Sequence, residues 1–205
     1  MNNIILKIDN TIFIEAILPC PLTKLEGCEE VIITLYNEEQ SYLLYESHCI
    51  QMAVEDLNYS IKEAINNKLQ LHPSIIKDIG HLANEYFQDK EEDLFFCYEL
   101  RKIWVGMGYL LWDSREVGIW IYNKNSEIFL EITPFYRWHF VDPKEGEDFL
   151  TYQEFLKNYQ PHLIVKLSKE VALEWLNKTE ELLSIMKGNY EQCKYLHEAE
   201  VKSID

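Results

Sequence analysis

The chain has 205 residues, 47% of them hydrophobic, and a formal net charge of −16 at pH 7. That length suits one domain with a sizeable core, and the hydrophobic fraction excludes a disordered chain. The charge disfavours direct contact with nucleic acid or an anionic membrane surface, and only Arg101, Arg115 and Arg137 offer the guanidinium fork that grips phosphate.

Taken in chain order, residues 3–18 hold two apolar, β-branched runs around Asp9 and Asn10, which predicts a hairpin. Pro19 and Pro21 end it. Residues 30–36 and 41–46 flank a polar four-residue loop and predict a second hairpin. The period then changes. Val54, Leu57, Ile61, Ala64 and Ile65 fall at helical spacing, which predicts a helix over 53–68. A second helix is expected from Pro73, with the stripe Ile75, Ile76, Ile79, Leu82, Ala83 and Tyr86. An acidic loop follows at 88–93. Residues 94–100 and 102–112 read as extended, the second as a strand covered on both faces. Gly106 and Gly108 within it suggest a close approach by a large side chain, or a bulge.

Asp113–Glu116 is a turn before a strand over 117–122, and 123–126 is a turn before a strand over 127–133. In that last strand Ile128, Leu130 and Ile132 alternate with Glu127, Phe129, Glu131 and Thr133, so one face reads as buried and the other as half polar. This is an antiparallel meander, and its aromatics are first of all cross-strand packing. Residues 134–150 form a loop rich in aromatics and acids. Thr151 with Glu154 is a capping box for a short helix ending before Pro161. A last helix is expected over 169–187, capped by Ser168 and closed by Gly188, with Val171, Trp175, Leu182 and Met186 as its stripe. The tail from 189 either adds a helix or frays. The expected architecture is a single α+β domain over 1–205: N-terminal hairpins and a central meander in antiparallel sheet, packed with three to five helices.

Five cysteines without a C-x-x-C pair are neither a zinc signature nor a disulfide framework, and they fit reduced thiols in a cytoplasm. The N-terminus lacks the pattern of a signal peptide, and no apolar run of about 18 residues suggests a membrane span.

No nucleotide-binding, nucleophile-elbow or metalloprotease motif occurs. His139 with Asp142 and Glu131 is the one local grouping to inspect for a metal or a general base; its plainer reading is a loop histidine beside solvated acids. Cys97 is a nucleophile only if a distant histidine meets it, and a buried structural thiol is the plainer reading. The acids Asp89, Glu91, Glu92 and Asp93 lie in one loop, and Asp142, Glu145, Glu147 and Asp148 in another. Neither run has the calcium-loop pattern. They are either solvated loops or carboxylates that answer lysine and arginine on a partner, with Tyr136 or Trp138 as aromatic anchors. No cofactor is expected.

Three stretches carry a resemblance: W-x-G-x-G-Y-x-x-W from Trp104 to Trp112, W-I-Y-N from Trp120, and E-I-T-P-x-Y from Glu131 to Tyr136. With N-Y-Q-P at 158–161 and the helix bearing Trp175, this small acidic α+β chain resembles the bacterial immunity proteins of contact-dependent and related polymorphic toxin systems. The resemblance is one of type and assigns no site residues. It implies stoichiometric neutralisation of one cognate toxin, a basic protein and a nuclease, by occlusion. Two other classes stay open: a small enzyme with an unfamiliar site, and a ligand-binding or regulatory module. Gene order separates them, since an immunity gene directly follows its toxin gene.

Overall fold

A computed structural model describes residues 2–38, 40–88 and 94–202. The protein is α+β, with ten strands in three antiparallel sheets and four α-helices among those residues. The chain forms two compact units, one from residues 1–62 and 169–205, the other from 63–168.

The first unit carries a four-stranded antiparallel sheet in sequence order: β1 (Asn2–Lys7), β2 (Ile12–Leu18), β3 (Val31–Asn37) and β4 (Gln40–Ser47). Both expected hairpins form. Asp9 makes the first turn: its Oδ1 accepts from the backbone N–H of Thr11 at 2.7 Å and of Ile12 at 2.8 Å. Alternation then turns Ile14, Leu18, Val31, Ile33 and Leu35 inward.

Helix α1 (Ile50–Ile65) buries Val54, Leu57, Ile61 and Ala64 of the stripe that the periodicity predicts, leaves Ile65 half-buried, and buries Ala53 as well. Helix α4 (Lys169–Lys202) buries Trp175, Leu182 and Met186. The Trp175 indole N–H donates to the Lys7 carbonyl at 2.9 Å, and Asn58 donates to Thr179 at 2.9 Å, so α4 is tied to both the sheet and α1. Gly188 does not close α4. A glycine inside a helix costs about 1 kcal/mol, and here the next residue offsets it: the Asn189 amide donates to the carbonyls of Leu25 at 2.8 Å and Leu22 at 3.1 Å.

The second unit is built on the meander β7 (Leu110–Asp113), β8 (Val117–Lys124) and β9 (Glu127–Pro134). A fourth strand, β10 (Leu163–Leu167), pairs with β9 and was not expected from the sequence. Helix α2 (Ile79–Phe87) and the short α3 (Tyr152–Lys157) complete the unit with the two-stranded pair β5 (Phe96–Tyr98) and β6 (Ile103–Trp104). Ile79, Leu82, Trp104, Trp120, Tyr122 and Phe135 share its core.

Two expectations fail here for physical reasons. The helix expected from Pro73 begins only at Ile79, and residues 72–78 turn instead: the Ile75 N–H donates to the His72 carbonyl at 2.9 Å. The expected strand over 102–112 is interrupted by a 3-10 turn at Val105–Tyr109. The Trp104 ring folds back onto Gly106, where a Cβ would lie 2.2 Å from Trp104 Cη2. The apolar run wraps its own indole rather than lying flat in a sheet. A continuous apolar run carries no period to separate these outcomes.

Candidate functional site

The loop that follows β9 is where the sequence places most of its candidate residues, and it is held from α2. Asn84, fully buried, is the hub. Its amide donates to the carbonyls of Gly80 at 2.8 Å and Pro134 at 3.0 Å. Its Oδ1 accepts from the Tyr136 N–H at 2.8 Å and from His139 Nε2–H at 2.9 Å. Gln88 donates to His139 Nδ1 at 2.8 Å. One ring nitrogen therefore donates and the other accepts, which defines a neutral imidazole. Burial pushes the His139 pKa down to about 4. With both nitrogens engaged, His139 positions the loop and is neither a free base nor an open ligand.

Glu131 corrects the half-polar reading of β9. It is 1% exposed, and Thr133 beside it is fully buried, so both faces of the strand are covered. Its carboxylate accepts from the Tyr122 hydroxyl at 2.9 Å and from the Gly80 N–H at 3.2 Å. Gly80 is the second residue of α2, whose N-cap Asp78 makes no side-chain cap bond. Glu131 thus caps the helix from a neighbouring strand. Burial is the leading cause that pushes its pKa up to about 7. Among the described residues no three His, Cys, Asp or Glu side chains are placed to hold a metal ion. His139, Asp142 and Glu131 therefore make no metal centre.

Cys97 is exposed on β5, not buried, and no hydrogen bond joins it to a histidine among the described residues. Cys20, Cys28, Cys49 and Cys97 are free thiols.

The acids of the loop divide into two kinds. Asp142, Glu145 and Asp148 are exposed. Glu147 is half-buried and structural: it accepts from the Lys144 N–H at 2.9 Å and pairs with Arg137 Nη2 at 3.3 Å. Those contacts, the Lys144 bond first, hold its carboxyl below the ordinary range. Arg137 also pairs with Glu116 at 3.3 Å through Nε. Asp89, Glu91, Glu92 and Asp93 lie outside the described residues.

The expected anchors divide as well. Tyr136 is 6% exposed, packed against Tyr152 at 5.3 Å between ring centroids, with its hydroxyl donating to the Leu150 carbonyl at 2.9 Å. Trp138 is half-buried and packs on Phe149 at 5.4 Å. The sequence reading missed the apolar side chains that face solvent here. Phe140 is 76% exposed, and Val141, Phe149 and Leu150 of the same loop are exposed too. Their signal was present: two apolar pairs, Phe140–Val141 and Phe149–Leu150, flank the run DPKEGED, which has no large apolar residue.

Next to this loop the turn after β7 and the end of β9 enclose a cleft of about 260 Å³. Phe87, Phe135 and Phe140 form its apolar wall, and Asp113, Arg115 and Arg137 its charged rim. No helix of the described residues is long and apolar enough to cross a membrane. No family model, curated protein or solved structure matches the chain.

Proposed function

We propose that the chain is a protein-binding inhibitor: an immunity protein of the polymorphic-toxin type that neutralises one basic toxin by occupying a surface the toxin needs. The observation that carries this reading is the loop over 137–150. It exposes Phe140, Val141, Phe149 and Leu150 together with Asp142, Glu145 and Asp148. Large apolar side chains facing solvent are unfavourable for a monomer alone, and next to carboxylates they match the make-up of a binding surface for a basic protein. The net charge of −16 adds long-range attraction for the same partner. A nuclease is basic where it grips its polyanionic substrate, so an acidic occluder replaces phosphate with carboxylate. The chain then acts in the cytoplasm, beside the toxin's target, and needs no cofactor.

The test is co-expression of the chain with a tagged product of the gene directly upstream. A one-to-one complex that survives purification, and relief of growth arrest when the upstream product is toxic, are the expected outcomes. No complex and no relief would remove the inhibitor reading, leaving an enzyme or ligand-binding role.

A further inference from the structure

The outward face of the first unit's sheet carries apolar side chains that nothing covers. Along β2 this face reads Ile17, Glu15, Phe13, the positions that alternate with the buried Ile14 and Leu18. In β3, Ile32 stands beside Ile17 and Tyr36 beside Phe13. The row between them runs from Ile5 of β1 through Glu15 and Thr34 to Leu43 of β4. None of these side chains is buried, and Ile5, Ile32 and Leu43 are each at least 40% exposed. Phe13 and Tyr36 stack at 5.1 Å between centroids, which makes that end of the face a flat aromatic surface. The solvated face of an antiparallel sheet is ordinarily polar. An apolar one marks an interaction surface.

Charge identifies what it meets. Glu15 sits at the centre of the face, half-buried between the two apolar rows, and its carboxylate accepts from the Asn3 amide at 2.7 Å. Glu46 stands beside Ile32 at the edge. With Glu30 and His48 it frames a cleft of about 170 Å³ walled by Ile17, Pro19 and Ile32. That lining holds two carboxylates and no lysine or arginine. Glu30 has His48 at 3.0 Å, whereas among the described residues no lysine, arginine or histidine pairs with Glu15 or Glu46. The lysine of the face, Lys7, lies at the far end beside Phe13, and its charge acts on Glu174 of α4. A second copy of the chain would bring the same carboxylates and a further charge of −16, so the complementary occupant is basic.

Spacing adds the shape. Side chains two apart in a strand are about 6.7 Å apart along it. An extended segment of another protein presents its alternate side chains at that same spacing. Apolar, cationic and apolar residues at i, i+2 and i+4 therefore match Ile17, Glu15 and Phe13. We propose that this face docks an extended segment of the basic protein partner, with a lysine or arginine on Glu15 and apolar residues on the Ile17–Ile32 and Phe13–Tyr36 pairs. The proposal rests on the reading of the chain as a binder of a basic protein, and it gives that partner a contact on the first unit.

The experiment titrates the full chain with acetyl-Val-Thr-Arg-Thr-Val-amide, a counterpart with Glu in place of Arg, and a counterpart with Ser in place of both Val, followed by backbone amide NMR. The expected result is saturable, millimolar binding of the first peptide, with shifts at Glu15, Ile17, Ile32 and Thr34. The two counterparts should bind more weakly by about threefold or more, and Glu15→Gln and Ile32→Ser should each weaken the first peptide as much, with the rest of the spectrum unchanged. Equal binding by E15Q, equal binding of the Ser peptide, or shifts that map elsewhere would overturn the proposal. So would a concentration-dependent dimer in sedimentation that shields the same amides, which would assign the face to a second copy. The peptides need no toxin, so the two readings fail separately. Peptide binding without any complex with the upstream product removes the inhibitor reading alone. A retained complex with no peptide binding at the sheet removes this contact alone.

Discussion

Glu131 carries a carboxyl group into the interior of the second unit, where the Tyr122 hydroxyl and the Gly80 N–H are its donors. The arrangement has a pH signature. An unfolded glutamate releases its proton near 4.5, whereas here the carboxyl keeps it up to about 7. Between those values the folded state binds more protons than the unfolded one, so this residue's contribution is full below 4.5 and is lost as pH rises to about 7. The loss is on the order of 3 kcal/mol. His139 works with the opposite sign. Its pKa is down to about 4 from 6.5, so its contribution is present above 6.5 and is lost as pH falls towards 4. The two oppose each other across weakly acidic pH. Glu131→Gln keeps an acceptor for Gly80 and removes the titration. Relative to wild type, its stability by urea unfolding should therefore gain steadily from pH 4.5 to 7, leaving the His139 slope exposed. A stability difference that does not vary with pH would contradict the buried, proton-holding carboxyl.

Helix α3 shows how an element serves the loop. The Thr151 hydroxyl accepts from the Glu154 N–H at 3.3 Å, and Glu154 accepts from the Thr151 N–H at 3.0 Å, forming both halves of a capping box. The box holds Tyr152, whose ring packs on Tyr136 at 5.3 Å and on His139 at 5.9 Å. Thr151→Ala should lower unfolding stability by about 1 kcal/mol, and Thr151→Ser should restore most of it. An unchanged urea midpoint for the alanine variant would show that the cap does not bear on the unit. This box was legible in the sequence because it is local: four residues contain the whole signal. The hairpins, α1 and the meander were legible for the same reason, since period and turn chemistry lie within each segment. What was not legible depended on contacts distant in sequence. The late start of α2 answers to Glu131, 51 residues from Gly80, and the passage of α4 through Gly188 answers to Leu25, 164 residues from Asn189. Strand β10 is different: Leu163, Val165 and Leu167 alternate with Ile164 and Lys166, so its period was present but masked between Pro161 and the helix after it. Of the site, the acids and Trp138 were visible in the sequence. The inward turn of Tyr136, the structural use of Glu147 and the cleft at Asp113 come from folding.

For the whole molecule, charge and exposed aromatic surface are the two properties that a partner meets. A net charge of −16 accelerates encounter with a basic protein, and salt screens that attraction. The loop acids contribute most where they are exposed, and Glu147 is excluded from any such test because it holds Lys144 and Arg137 in place. The most direct measurement of the central claim is therefore the association rate of the triple variant Asp142→Asn, Glu145→Gln, Asp148→Asn with the upstream gene's product, taken at low and at physiological salt and compared with wild type. The expected result is an unchanged melting curve, association slowed by about tenfold at low salt, and a flatter dependence on salt. Association with unchanged rate and unchanged salt dependence would contradict it.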